Sequence, residues 1–238
     1  MSQFPYQKQR PWIDGQTVEG QIRVQAFIRS VYGWMFGGLL LTSVAALWVA
    51  TSPAMQQLVL VNPLVRFGLI IAELGIVIFL SFRITRMSPA AAASAFLVYS
   101  LLNGLTLSVI LFAYSHASVF QAFATAAGMF GAMSLYGLVT KKNLTSWGSF
   151  FMMGLVGILI CMVINFFVRS SALNMTISVI GVFVFLGLTA YDNQKLKAMA
   201  TADGPTENYA IIGALALYLD FINLFLFLLR IFGGNRRN

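Results

Sequence analysis

The sequence predicts an all-α polytopic membrane protein with seven transmembrane helices. Of its 238 residues, 59% are hydrophobic and only 9% are charged, whereas a soluble domain carries about 25% charged residues. A soluble helical bundle is therefore disfavoured, because so little charge cannot cover a water-facing surface. The apolar residues also fall in blocks of about 20, the number that crosses roughly 30 Å of hydrocarbon at about 1.5 Å per helical residue.

Seven apolar segments define the predicted spans in order. They run from Val31 to Ala50, Leu64 to Phe82, Ala90 to Tyr114, Val119 to Thr140, Trp147 to Val168, Leu173 to Tyr191, and Tyr209 to Ile231. The connections are short, so we expect consecutive helices to be antiparallel neighbours. Pro63 and Pro89 stand where the second and third helices would start, a position in which proline is tolerated.

The segments divide the chain into two tails and a membrane domain. We predict a cytoplasmic N-terminal tail over residues 1–30, the seven-helix domain over residues 31–232 and a basic C-terminal tail over residues 233–238. Near the end of the first tail, apolar residues recur at helical spacing: Val24, Phe27, Ile28 and Val31. This pattern predicts a short amphipathic helix at the membrane interface. It fits a solvated extension of the first span equally well.

The basic residues favour a cytoplasmic N-terminus. In that orientation ten Lys and Arg residues lie on the cytoplasmic side, and five lie on the far side, as the positive-inside rule requires. The five are Arg66, Arg169, Arg230, Arg236 and Arg237. A re-entrant last segment, with six true spans, would return the last three to the cytoplasm. Because the first helices usually dominate orientation, seven full spans remain the prediction.

Small residues recur four positions apart in several spans. The pairs are Gly33 with Gly37, Ser100 with Gly104 and then Ser108, and Ala127 with Gly131. In lipid such patterns let helix backbones approach closely. We interpret them as packing within one bundle, and they do not require a dimer.

Three of the seven acidic residues fall in or beside the apolar segments: Glu73, Asp192 and Asp220. An ionised carboxylate at the bilayer centre costs at least about 2.5–3.5 kcal/mol on insertion scales, so such residues usually face the bundle interior and mark ion or proton pathways. These acids are therefore the strongest functional signal in the sequence.

Asp220 lies near the middle of the seventh segment. Asn223 follows three residues later, so both side chains share one helix face. The resulting polar stripe suits a helix surrounded by other helices. The alternative is a neutral Asp220 that serves only as a structural hydrogen-bond donor.

Asp192 ends the sixth segment, beside Lys195, and ordinary interfacial charge is its alternative interpretation. By segment counting it lies near the cytoplasmic boundary, with Asp220 deeper. The two meet only if the last helix projects beyond the hydrocarbon or the sixth is drawn inward. Two close carboxylates in a low dielectric share a proton. Losing that proton makes the helices repel each other or recruit a cation.

Glu73 is the third candidate, and Arg83 and Arg86 follow it near the cytoplasmic end of the same segment. An arginine here could pair with the aspartates and latch the helices. Both arginines could equally be cytoplasmic anchors.

These residues resemble a known family. The run from Leu217 to Phe225 (Leu-Tyr-Leu-Asp-Phe-Ile-Asn-Leu-Phe), its continuation Leu-Leu-Arg-Ile-Phe-Gly to Gly233, and the upstream Ala-Tyr-Asp-Asn-Gln are similar to the Bax inhibitor-1 (transmembrane Bax inhibitor motif) family. The likeness covers the chain from Arg29 onward and is strongest to bacterial inner-membrane members.

The resemblance implies a seven-helix fold with the last helix central, and a pH-dependent calcium leak. It implies that Asp192 and Asp220 form the pH-sensing pair and that Glu73 is the family's second-helix acid. The family's latch arginine would fall at Ile84, so the chain departs from the pattern there. Arg83 is the nearest substitute.

The lead hypothesis is a pH-sensitive cation leak in the bacterial inner membrane, with calcium as permeant ion, membrane lipid as partner, and no enzymatic activity or cofactor. An alternative is a non-transporting regulator that binds a membrane protease or other membrane protein through its N-terminal tail. An intramembrane aspartyl protease is disfavoured, because Leu217 to Asp220 replaces the Gly-x-Gly-Asp element of that class and its Pro-Ala-Leu motif is absent.

Other functions lack a motif. The chain has one Cys and one His: Cys161 lies in an apolar run and His116 in a short predicted loop, so we expect neither a disulfide nor a Cys-based metal site. The net charge of +8 is typical of membrane topology and anionic-lipid contact, and we expect no nucleic-acid binding.

Overall fold

The computed structural model describes residues 18–83, 86–201 and 207–233, and these ranges contain helices and no strand. Seven helices are long and apolar enough to cross a membrane. We number them α1 to α7: Val18–Thr51, Pro63–Arg83, Pro89–Ala113, His116–Val139, Thr145–Val168, Ser171–Thr201 and Glu207–Phe232. The predicted all-α fold with seven spans is confirmed.

Local capping explains where several helices begin. A short helix, Pro53–Gln56, and a π-helical turn, Gln57–Val61, join α1 to α2. The Ser52 hydroxyl caps the short helix by accepting from the Met55 N–H. At the start of α3 the Ser88 hydroxyl likewise accepts from the Ala91 N–H. Pro63 and Pro89 are the first residues of α2 and α3, as predicted.

Two helices are longer than their apolar segments. Helix α1 begins at Val18, so the predicted boundary at residue 30 falls inside a continuous helix and residues 18–30 extend the first span. Helix α6 continues ten residues past Tyr191 to Thr201. The reason is that hydropathy marks where a segment leaves lipid, whereas a helix continues into water as long as its residues tolerate helical geometry. His116 also proves to be the first residue of α4.

Helix α7 packs against four other spans, α1, α3, α4 and α6. Of its most apolar stretch 72% is buried inside the protein, compared with 6% for α2 and for α5. Its 26 residues form one uninterrupted helix, about 39 Å long at 1.5 Å per residue. That length suits a full crossing and favours it over the re-entrant alternative.

Only one of the predicted small-residue stripes lies at a close helix contact. A side chain added at Gly104 of α3 would overlap the backbone of Thr42 in α1. Around Gly33, Gly37 and Gly131 the described residues leave open space. The Ser100–Gly104–Ser108 stripe therefore brings α1 and α3 together, while the other two stripes do not act in this way.

Candidate functional site

The register between α6 and α7 sets the relative height of the two aspartates. Gly181 of α6 packs against the ring of Phe227, and Gly213 of α7 packs against Leu196. This antiparallel register places Asp192 level with the residues just before Tyr218. Asp220 therefore lies about one helical turn deeper, roughly 5 Å along the axis.

Helix α6 does not end at Asp192, so it carries this residue alongside α7. Asp192 lies within α6, nine residues before its end at Thr201. The expectation that Asp192 stands at a helix end is therefore wrong. Its carboxylate is close enough to Asp220 for the charge of one to act on the other.

Asp220 is deeply buried, and one of its oxygens is unsatisfied. The side chain is 5% exposed, and among the described residues its Oδ2 has no hydrogen-bond partner. The amide of Asn223, expected on the same face, donates instead to the backbone oxygen of Leu219. Since buried polar atoms nearly always have a partner, the unsatisfied oxygen of Asp220 needs an explanation.

Asp192 is half-buried and more accessible than Asp220. The exposed side chain of Lys195, one turn on, is near enough to act on its charge. Within the described ranges no three acidic, His or Cys side chains converge. The candidate site therefore offers two carboxylates, one reachable from the end of α6 and one deep in the bundle.

Asn193, next to Asp192, fixes the position of α6. The hydroxyl of Tyr32 in α1 donates to Asn193 Oδ1 at 2.6 Å. The Asn193 amide nitrogen lies 3.1 Å from Ser134 Oγ of α4 and 2.8 Å from the Thr189 carbonyl oxygen. Fully buried and bonded to two neighbouring helices, Asn193 holds the backbone that carries Asp192.

Tyr218, two residues before Asp220, fixes the position of α7. Its hydroxyl lies 2.6 Å from Thr42 Oγ1 in α1 and 3.1 Å from Asn103 Oδ1 in α3. The rings of Phe96 and Tyr99 meet the Tyr218 ring edge-on, at centroid distances of 5.8 and 5.7 Å. Tyr218 thus ties the acidic level of α7 to α1 and α3.

Glu73 joins this network from the lipid-facing helix α2. It is half-buried and accepts a hydrogen bond from the Thr106 hydroxyl. Asn103, the partner of Tyr218, also lies beside Glu73. Glu73 is therefore linked to α7 through Asn103 and Tyr218 and does not form part of the aspartate pair itself.

Arg83 is exposed at the end of α2. Among the described residues no arginine lies within ion-pairing distance of a carboxylate, so the latch is not formed in this conformation. Ile84, the position that the family pattern would give to the latch, lies outside the described residues.

Comparison with known proteins agrees with this architecture. The sequence profile of the family described as inhibitor of apoptosis-promoting Bax1 matches residues 24–237. The chain belongs to the Bax inhibitor-1 family. The match covers α1 from residue 24 onward and the other six spans in full, including both aspartates.

Bacterial relatives cover nearly the whole length of this family member. The Escherichia coli inner membrane protein YbhL is 48% identical over an alignment of 224 residues that covers 92% of this chain and 96% of the relative. A Deinococcus radiodurans protein is 46% identical over 91% of this chain and 93% of its own length. A Streptococcus pyogenes membrane protein is 38% identical over 91% of this chain and 96% of its own length. With its seven apolar helices, this chain is an integral membrane protein of the inner-membrane type.

Several residues that build the site were missed at the sequence level. Asn103 is an amide within an apolar segment, and Asn193 lies in the polar run from Asp192 to Lys195. Tyr218 carries its hydroxyl in a largely apolar run. An amide in the middle of a span could have marked Asn103. For Tyr218 and Asn193 only the three-dimensional packing identifies the partners.

Proposed function

We propose that this Bax inhibitor-1 family member is a pH-sensitive leak pathway for cations, with calcium as a permeant ion, and that Asp192 and Asp220 are its ion-responsive groups. The observation that carries the proposal is the buried Asp220 carboxyl, whose Oδ2 has no partner among the described residues. In a low dielectric a carboxyl in this state is stable when it holds a proton or faces a cation.

The two carboxylates suit passage better than tight retention. Calcium prefers about six to eight oxygen ligands, whereas two carboxylates supply up to about four oxygens. A calcium ion at the pair therefore keeps part of its water shell and leaves readily. The half-buried Asp192 receives the ion first, and Asp220 draws it into the bundle.

Protons and calcium compete for the pair, which sets the direction of the pH response. A carboxyl must lose its proton before it binds a metal ion. Calcium occupancy therefore increases as pH rises and decreases as pH falls. At low pH the shared proton holds α6 and α7 together, and the pathway is closed.

The surrounding residues support the pair in distinct ways. Asn193 and Tyr218 hold the two helices in register. Glu73 biases the position of α7 through Asn103, and Asn223 lies on the polar face beside Asp220. Arg83 would act as a latch only after movement of α2. Helices α2 and α5 are the two spans least buried by the rest of the protein.

Calcium flux into liposomes containing the purified protein tests this proposal. We expect flux to increase several-fold between about pH 5 and about pH 8. Asp192→Asn and Asp220→Asn should each abolish this dependence, because an amide neither titrates nor recruits calcium. Glu207→Gln is the matched control, since it removes an exposed acid from the first turn of the same helix. Flux that ignores pH and both substitutions would exclude the aspartate pair as the gate.

The alternative of a regulator that binds another membrane protein can be separated from the leak. Helix α1 begins at Val18, so deletion of residues 1–17 leaves every described helix intact. A leak carried by the bundle predicts normal flux after this deletion, measured in the same liposomes. Loss of a partner in cross-linking experiments, with flux retained, would assign a binding role to the tail in addition to the leak.

A further inference from the structure

A basic cavity opens at the surface of the bundle away from the aspartates, where α5 ends, α6 begins and α7 ends. Its volume is about 420 Å³, within the usual range of about 300–1,000 Å³ for ligand pockets. Its polar lining includes Arg169, Arg230, Asn165, Ser170 and Asn174. Among the described residues no acidic side chain contributes to the lining, so this part of the chain gives the cavity two positive charges and no counter-charge.

Neighbouring groups hold the side chain of Arg230 and the backbone of Arg169. Arg230 lies over the ring of Phe227 at 5.4 Å from the centroid. Arg169 is the only residue besides glycine in the described ranges with a positive φ, at 56°. Its turn is fixed from both sides, because the Arg169 N–H donates to the Asn165 carbonyl oxygen and the Ser170 N–H donates to Asn165 Oδ1.

The position of the cavity relates it to lipid. The end of α5 exposes three apolar side chains beside it, Phe166, Phe167 and Val168, and Phe166 also forms part of the cavity wall with Met162 and Ile177. The arginines therefore stand where the apolar belt of the bundle ends, at the level of lipid headgroups. The cavity is apolar towards the spans and cationic towards the membrane surface.

The charge distribution requires an explanation that topology does not supply. Seven crossings place this end of the bundle opposite the start of α1, on the side where the positive-inside rule disfavours arginine. Yet Arg169 and Arg230 converge there in one cavity. Arginine forms strong paired hydrogen bonds with phosphate oxygens, and the start of α6 at Ser171 adds the partial positive charge of a helix N-terminus.

We propose that this cavity binds the phosphate headgroup of an anionic phospholipid, with the acyl chains lying along Phe166 and the outer face of α5. Arg169 and Arg230 hold the phosphate, while Ser170 and Asn174 contact the rest of the headgroup. Lipid is favoured over a free anion because one wall of the cavity is apolar and continuous with the lipid-facing surface.

Native mass spectrometry of the detergent-purified protein with added phosphatidylglycerol or phosphatidylcholine tests the site. Two single variants are informative. Arg169→Asn removes the charge but suits the left-handed backbone, and Arg230→Gln removes the other charge. Each should lower phosphatidylglycerol retention about tenfold relative to phosphatidylcholine, as expected for loss of one charged hydrogen-bonding partner.

Arg66→Gln is the matched control. Arg66 is an exposed arginine at the start of α2, on the same side of the membrane and outside the cavity. Equal losses in all three variants would show general charge attraction, and equal retention of the two lipids would show that the negative headgroup is not recognised. Either result would overturn the proposal. Inorganic phosphate that displaces phosphatidylglycerol at millimolar concentration would reassign the site to a free anion. Thermal unfolding of each variant shows whether lost retention reflects lost folding.

Discussion

At the scale of single residues, α7 carries two polar groups of different character two positions apart. The Tyr218 hydroxyl has partners on two other helices, whereas Asp220 Oδ2 has none among the described residues. Both side chains are buried. A satisfied buried group stabilises a fold, and an unsatisfied one costs stability unless a proton or ion completes it. The Tyr218 hydroxyl therefore serves structure, and the Asp220 carboxyl is the better candidate for function.

This difference predicts the effect of Tyr218→Phe. The substitution keeps the ring contacts with Phe96 and Tyr99 but leaves Asn103 and Thr42 without their shared partner. We expect a loss of about 1–2 kcal/mol in the free energy of unfolding, measured by chemical denaturation in detergent. Tyr209→Phe, at a residue that is 38% exposed, should change stability by less than about 0.5 kcal/mol. An equal effect of both changes would mean that the Tyr218 hydroxyl is not a structural link.

At the scale of helices, the sequence could predict the spans but not all of their ends. Apolar runs near twenty residues and the two prolines were enough to place α2 and α3, because hydropathy and proline geometry are local properties. The extension of α6 past Tyr191 could not be predicted, since polar residues at a membrane boundary permit either a helix or a loop. The similar depth of Asp192 and Asp220 follows from the α6–α7 register, which depends on side chains of both helices.

Helix contacts also separate glycines that look alike in sequence. Gly104→Ala would push α3 away from the backbone of α1 at Thr42, and we expect it to cost about 1–3 kcal/mol, as overpacking usually does. Gly131→Ala adds the same methyl group where the described residues leave open space. Because alanine is a better helix former by roughly 0.5–1 kcal/mol, this change should be neutral or stabilising. Thermal unfolding of both variants measures the contrast, and similar behaviour would contradict the packing assigned to the Ser100–Gly104–Ser108 stripe.

At the scale of the whole molecule, the bundle has two chemically different ends. The acidic pair lies towards the end where α6 finishes, and the basic cavity lies at the opposite end, where α6 begins. A cation drawn to the carboxylates and an anionic headgroup held by arginines would thus bind at separate levels. Which end faces the cytoplasm follows from the orientation of α1 and the number of crossings.

Seven full crossings predict that the start of α1 and the end of α7 face opposite sides of the membrane. Single cysteines test this after Cys161→Ser, since Cys161 is the only native cysteine. With a cytoplasmic N-terminus, Ser52→Cys between α1 and α2 and Asn235→Cys after α7 should both react with an impermeant maleimide on intact cells. Lys141→Cys, between α4 and α5, should react only after permeabilisation. Because the apolar helix α7 is long enough to cross and is not interrupted, Asn235→Cys should show the same labelling pattern as Ser52→Cys. If its labelling instead matched that of Lys141→Cys, the last helix would not complete its crossing. The basic cavity could not then lie on the far side of the membrane.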